Sequence, residues 1–126
     1  MAKGDRGPYH INTDGNAAHA GQFAFGFYNG SWNDIFSGIV PTINTWYFLC
    51  ATCDSSTIKF YVNNSLVGSA TRGTLTQNTY SLYIGENMEA TGRYFTGIID
   101  DMYIYNRGLS AEEISQIYYQ TKGYHI

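Results

Sequence analysis

A chain of 126 residues with 13% charged side chains, a net charge of −3 and a pI near 5.4 is one domain without the electrostatic footprint that nucleic acid demands. An apolar fraction of 44% with so little charge excludes disorder, and no apolar run is long enough to insert into a membrane. Twelve tyrosines, 17% aromatic residues, 14 glycines and only 2 prolines favour an all-β protein.

The N-terminus, MAKGDRGPYHINTDG, is polar and has no apolar h-region, so it predicts no signal peptide. Strands are predicted at Tyr9–Asn12, Gln22–Tyr28, Asp34–Ile39, Trp46–Cys53, Thr57–Val62, Ser65–Ala70, Ser81–Ile84 and Phe95–Tyr105. Turn residues fall between them at Asp14-Gly15, Asn29-Gly30, Asn44-Thr45, Asp54-Ser55-Ser56 and Asn63-Asn64. Asn29-Gly30, lying between two aromatic runs, is a strong hairpin signal. Trp46 opens a strand expected to be buried and is assigned to the core. Residues 85–92, GENMEATG, form the longest polar loop late in the chain.

The last third carries a period-two strand from Phe95 to Tyr105. Ile98, Asp100, Met102 and Ile104 share one face, and Ile99, Asp101, Tyr103 and Tyr105 the other. The Met102 and Ile104 face is the expected core face, so Asp100 is expected to point inward, where a carboxylate needs hydrogen bonds or a cation. Asn106-Arg107-Gly108 then turns the chain. Ser110 with Glu113 three residues on makes a capping box, and Ile114, Ile117 and Tyr118 at helical spacing predict one short helix, with Gly123 as its stop.

Cys50 and Cys53 stand as a CxxC inside a predicted strand rather than at the start of a helix. No second pair exists to complete a four-thiolate zinc site. Strand residues three apart face opposite sides, too far for a disulfide, so two small packed thiols are expected. Catalytic signatures are missing. The acid pairs Glu86/Glu89 and Glu112/Glu113 lie in a loop and at a helix N-terminus, and His10, His19 and His125 are scattered. The sequons Asn29-Gly-Ser31 and Asn63-Asn-Ser65 are short enough to arise by chance.

Taken in order, Trp46-Tyr-Phe-Leu-Cys-Ala-Thr-Cys-Asp54, Ile58-Lys-Phe-Tyr-Val-Asn63, Tyr83-Ile-Gly85, Phe95-Thr-Gly-Ile-Ile-Asp-Asp101 and Tyr105-Asn-Arg-Gly-Leu-Ser110 with Glu113-Ile resemble the laminin G-like, concanavalin A-like lectin/glucanase jelly-roll superfamily. The resemblance covers roughly residues 46–118. It implies an antiparallel two-sheet jelly-roll sandwich with one short C-terminal helix. Asn64 departs from the glycine usual at that hairpin, yet asparagine tolerates positive φ. Relative to the family, the single domain spanning 1–126 is expected to lack its opening strands. That would leave edges for a second copy or another polypeptide to cover, making a homo-oligomer or a partner chain the expected arrangement.

The resemblance also implies roles. Asp100 matches the aspartate of the family's structural Ca2+ site, with Asp101 beside it; the alternative is that Asp100 caps backbone N–H groups or pairs with Arg107 or Arg93. Carbohydrate binding is the family's commonest role. Sugars need an aromatic face plus amide and acid groups, which Asn29, Trp32, Asn33 and Asp34 supply on a predicted loop, with Arg93 and Tyr94 as a second candidate. Against that, the reading of Trp32 as a partly buried core or interface residue stands ahead of the binding one. The sequence thus points to a non-catalytic recognition module for a glycan or a protein surface; the resemblance alone implies an extracellular or surface location, and the residues leave the compartment open. The alternative is a structural assembly domain that oligomerises through exposed sheet edges with no small ligand.

Overall fold

The computed structural model describes residues 9–13, 17–87 and 92–125. The predicted Asp14-Gly15 turn, Glu89 and the middle of the 85–92 loop lie outside the described residues. Among the described residues, six strands and one helix follow in order: β1 Tyr9–Thr13, β2 Phe23–Tyr28, β3 Trp32–Phe36, β4 Leu49–Cys53, β5 Thr57–Val62, β6 Ser65–Thr71 and α1 Ala111–Lys122. They form two antiparallel three-stranded sheets, ordered β1-β2-β3 and β4-β5-β6.

Strand alternation builds the interior. Phe23, Phe25 and Phe27 of β2 and Ile35 of β3 face Ile58, Phe60 and Val62 of β5 across the gap between the sheets. Phe60 is fully buried and its ring lies 6.2 Å from that of Phe25. Each such side chain contributes about 1.5–3 kcal/mol through burial. β3 and β6 close one side of the sandwich. The closeness depends on Gly68, because a Cβ there would lie 2.5 Å from Ile35 Cγ2.

Short polar side chains fix the turns. Asp54 Oδ1 accepts the backbone N–H groups of Ser56 and Thr57, each at 2.7 Å, and so joins β4 to β5. Asn63 and Asn64 adopt φ of 48° and 67°, the left-handed pair that a two-residue hairpin needs. Asn64 therefore replaces the usual glycine without losing the turn.

The helix starts where expected. The Ser110 hydroxyl accepts the Glu113 N–H at 3.2 Å while the Glu113 carboxylate accepts the Ser110 N–H at 2.8 Å. Its apolar side is covered: Ile114 is fully buried, and the Tyr118 ring meets Phe48, the residue before β4, at 5.7 Å. Asn64 Nδ2 donates to Ser115 Oγ at 3.2 Å, tying the helix to the β5–β6 turn. Arg107 grips Glu113 through two hydrogen bonds of 2.6 and 2.8 Å, which hold the Glu113 carboxyl down at a pKa of about 2. A carboxyl depressed in the fold stabilises it above the ordinary carboxylate range. That contribution fades as pH falls toward about 2.

Four expectations are corrected. β3 begins at Trp32 rather than Asp34, because the hairpin uses three residues and pairs Tyr28 directly with Trp32. β4 begins at Leu49, and Trp46 lies before it, 41% exposed rather than in the core. The 81–84 segment is not a strand; an isolated bridge joins Glu86 to Tyr94 nearby. The 95–105 segment is not a strand either. Asp101 takes a φ of 53°, which breaks the two-residue alternation, and Asp100 is exposed instead of inward. Ile98, Met102, Ile104 and Tyr103 are consequently exposed. This arc borders a cleft of about 2130 Å³ that also reaches the edge strands β1 and β4, so among the described residues the sandwich is closed at β3 and β6 and open opposite.

Candidate functional site

With the phenylalanines of β2 turned inward, Ala24, Gly26 and Tyr28 occupy the outer face of the first sheet. Register places Trp32 opposite Tyr28, Asp34 opposite Gly26 and Phe36 opposite Ala24; on the other flank His10 stands opposite Gly26. The result is a row of His10, Gly26 and Asp34 beside an aromatic pair.

The geometry is close. His10 Nε2 lies 3.6 Å from Asp34 Oδ1. The Trp32 ring is 5.2 Å from the imidazole of His10 and 5.4 Å, edge-on, from Tyr28. At the far end of the face, the His19 ring lies flat on Phe36 at 3.8 Å. Gly26 makes the row possible, since a Cβ there would collide with the His10 imidazole and the Asp34 carboxylate. Trp32 remains 42% exposed. It therefore presents an indole surface to solvent, flanked by an acid and an imidazole, outside the hydrophobic interior.

The other expected residues divide. Asn33 Nδ2 donates to Asn29 Oδ1 and to the Ser31 carbonyl, both at 2.9 Å, and Asn29 Nδ2 donates to the Arg72 carbonyl at 3.2 Å. These amides brace the β2–β3 turn against the end of β6. Arg93 and Tyr94 lie on the late loop, Tyr94 71% exposed, and border the same cleft as His10, Trp32 and Asp34. His10 was not among the expected site residues. Its signal was Gly26, a glycine amid aromatic residues in a strand, which marks a close approach.

A second cluster lies near the chain end. Asp100, Asp101 and His125 bring one potential ligand atom each within 4.8 Å of one another. Asp100 Oδ1 accepts the Asp101 N–H at 2.8 Å, His125 Nε2 lies 2.9 Å from Asp101 Oδ2, and the Trp46 ring packs on His125 at 4.2 Å. Arg107, weighed as a partner for Asp100, pairs with Glu113 instead. The expected calcium calls for six to eight oxygens. Two carboxylates supply at most four, and backbone carbonyls of the loop would have to supply the others.

The cysteines are free. Leu49, Ala51 and Cys53 pack against the interior, which turns Cys50 to the opposite face. Burial pushes the Cys50 thiol up to about 11 and also raises Cys53, so neither is a thiolate at neutral pH. Among the described residues, no helix is long and apolar enough to cross a membrane.

Comparison with known proteins adds the lineage. No curated protein matches the chain. A crystal structure of an S-layer domain-containing protein from Clostridium thermocellum, residues 221–444, superposes with a TM-score of 0.54 at 27% identity. The match covers 79% of this chain and 52% of that one, so this chain spans about half the length of that structure. The family model of the concanavalin A-like lectin/glucanases superfamily matches residues 1–115. That range takes in β1 to β3 as well as the later motifs, and the chain belongs to this superfamily.

Proposed function

We propose that this protein is a non-catalytic recognition module that binds carbohydrate on the outer face of its first sheet. The observation that carries the reading is Trp32: a half-exposed indole beside Tyr28, with Asp34 and His10 one step along the face. An aromatic surface receives the C–H side of a pyranose, and a carboxylate accepts hydrogen bonds from neighbouring hydroxyls. Membership in a lectin and glucanase superfamily supports this choice of ligand. Likeness to an S-layer domain-containing protein supports action at a cell surface. The Glu112/Glu113 pair does not favour hydrolysis, since Glu113 is engaged in the helix cap and with Arg107.

A second reading is favoured by the open side of the sandwich, where β1 and β4 are both edge strands and the 95–105 arc exposes Ile98 and Ile104. In that reading the edges pair with a second copy and no sugar binds. A glycan array run alongside light scattering separates the two. Specific binding at micromolar concentration is the expected result. Silence across the array with a stable dimer would favour assembly.

A further inference from the structure

We propose that the groove between residues 101–105 and the second half of α1 is an aromatic cage for a quaternary ammonium group. The groove holds about 460 Å³, within the range that small-molecule sites occupy. Three parts of the chain meet on its wall: Asp101, Tyr103 and Tyr105 of the arc, Gln120 and Thr121 of α1, and Tyr124 beyond the helix. The Tyr103 and Tyr105 rings stack at 6.4 Å, 29° from parallel, and Tyr124 adds a third ring from the end of the chain. All three tyrosines are exposed, so the interior makes no demand for aromatic residues at these positions.

The lining decides the class of ligand. The faces of aromatic rings are negative and attract cations. Among the described residues, Asp101 is the one charged side chain on the wall, and no lysine or arginine lines it. The basic groups that follow in sequence are engaged elsewhere: Lys122 Nζ sits over the Tyr118 ring at 5.4 Å, and His125 Nε2 lies 2.9 Å from Asp101 Oδ2. A sugar would need a dense set of free donors and acceptors. The Thr121 hydroxyl is spent on the carbonyls of Ile117 and Tyr118, at 3.0 and 3.3 Å, which leaves the tyrosine hydroxyls and the Gln120 amide. Three rings and one carboxylate suit a methylated cation, whose nitrogen makes no hydrogen bonds. The groove shares no residue with the Trp32 face, so this site stands apart from the one proposed there.

Titration of the full-length protein with choline chloride, read by calorimetry and by the NMR shifts of the tyrosine ring protons, tests the proposal. The control ligand is the uncharged isostere in which a tert-butyl group replaces the trimethylammonium. Choline is expected to bind the wild type with a Kd of about 1 mM or tighter, and the isostere at least about tenfold more weakly. Tyr105→Leu should weaken choline at least about tenfold, and Tyr105→Phe, which keeps the ring, by less than about twofold. Sedimentation with phosphatidylcholine vesicles, competed by free choline, would assign the headgroup to a lipid. Choline binding without sedimentation would assign a soluble source, and either result upholds the site. Equal affinity for choline and its isostere would reduce the groove to a plain apolar pocket and overturn the proposal. Choline binding that survives Tyr105→Leu, glucose preferred to choline in the same groove, or no response at concentrations well above that Kd would equally end it.

Discussion

Replacing Trp32 with alanine is expected to remove glycan retention while leaving the fold nearly as stable as before. The indole stands on the outer face, 42% exposed, and touches Tyr28 and His10 rather than the phenylalanine interior. Large aromatic side chains at a binding surface commonly carry about 2 kcal/mol or more of the interaction, so affinity should fall roughly 30-fold. Stability should change by less than about 1 kcal/mol, because no interior cavity opens. Binding measured by titration and melting measured by circular dichroism should therefore separate. A collapse of the melting temperature would return Trp32 to the structural role that the sequence also allowed.

The opposite outcome is expected at Phe60. Its side chain is fully buried between the sheets, against Phe25. Truncation to alanine should cost about 3–5 kcal/mol, a large share of the roughly 5–15 kcal/mol that stabilises an ordinary domain. Ile104→Ala makes the matching control. Ile104 is 61% exposed on the 95–105 arc. Its truncation should cost under about 1 kcal/mol by urea unfolding. Had the arc been an interior strand, the two substitutions would cost comparable amounts. The pair thus measures directly which half of the apolar sequence makes the core.

That contrast also explains how far the sequence could be read. β5 was legible to the residue, because Thr57–Val62 lies between two turns with their own chemistry, Asp54 and Asn63-Asn64. The helix was legible from Ser110 and Glu113, whose reciprocal hydrogen bonds are local. The 95–105 segment shows the limit. Its alternation is as clean as that of any strand here, yet alternation records only a capacity to pair. Pairing needs a neighbouring edge in register, and the turn in the backbone at Asp101 is invisible in composition. Trp46 shows the same limit: β-prone residues run on from Trp46, while pairing begins only at Leu49.

The site was half legible. Trp32 and Asp34 stand out in the sequence by residue type, as a loop cluster, whereas the structure sets them at alternate positions on one strand face. Asn29 and Asn33 were grouped with them by proximity in sequence, whereas their amides brace the turn. His10 could be placed only once register set it across Gly26 from Asp34. Likewise His125, a lone histidine in the sequence, gains its partners through the path of the chain after α1.

The account stands or falls on where a sugar sits. A chemical-shift map of the isotope-labelled protein, titrated with an oligosaccharide that it retains, answers this directly. The prediction is that shifts concentrate at the Trp32 indole N–H and the amides of His10, Gly26, Tyr28 and Asp34. Shifts confined to residues 92–109, with the outer face of the first sheet unmoved, would contradict it.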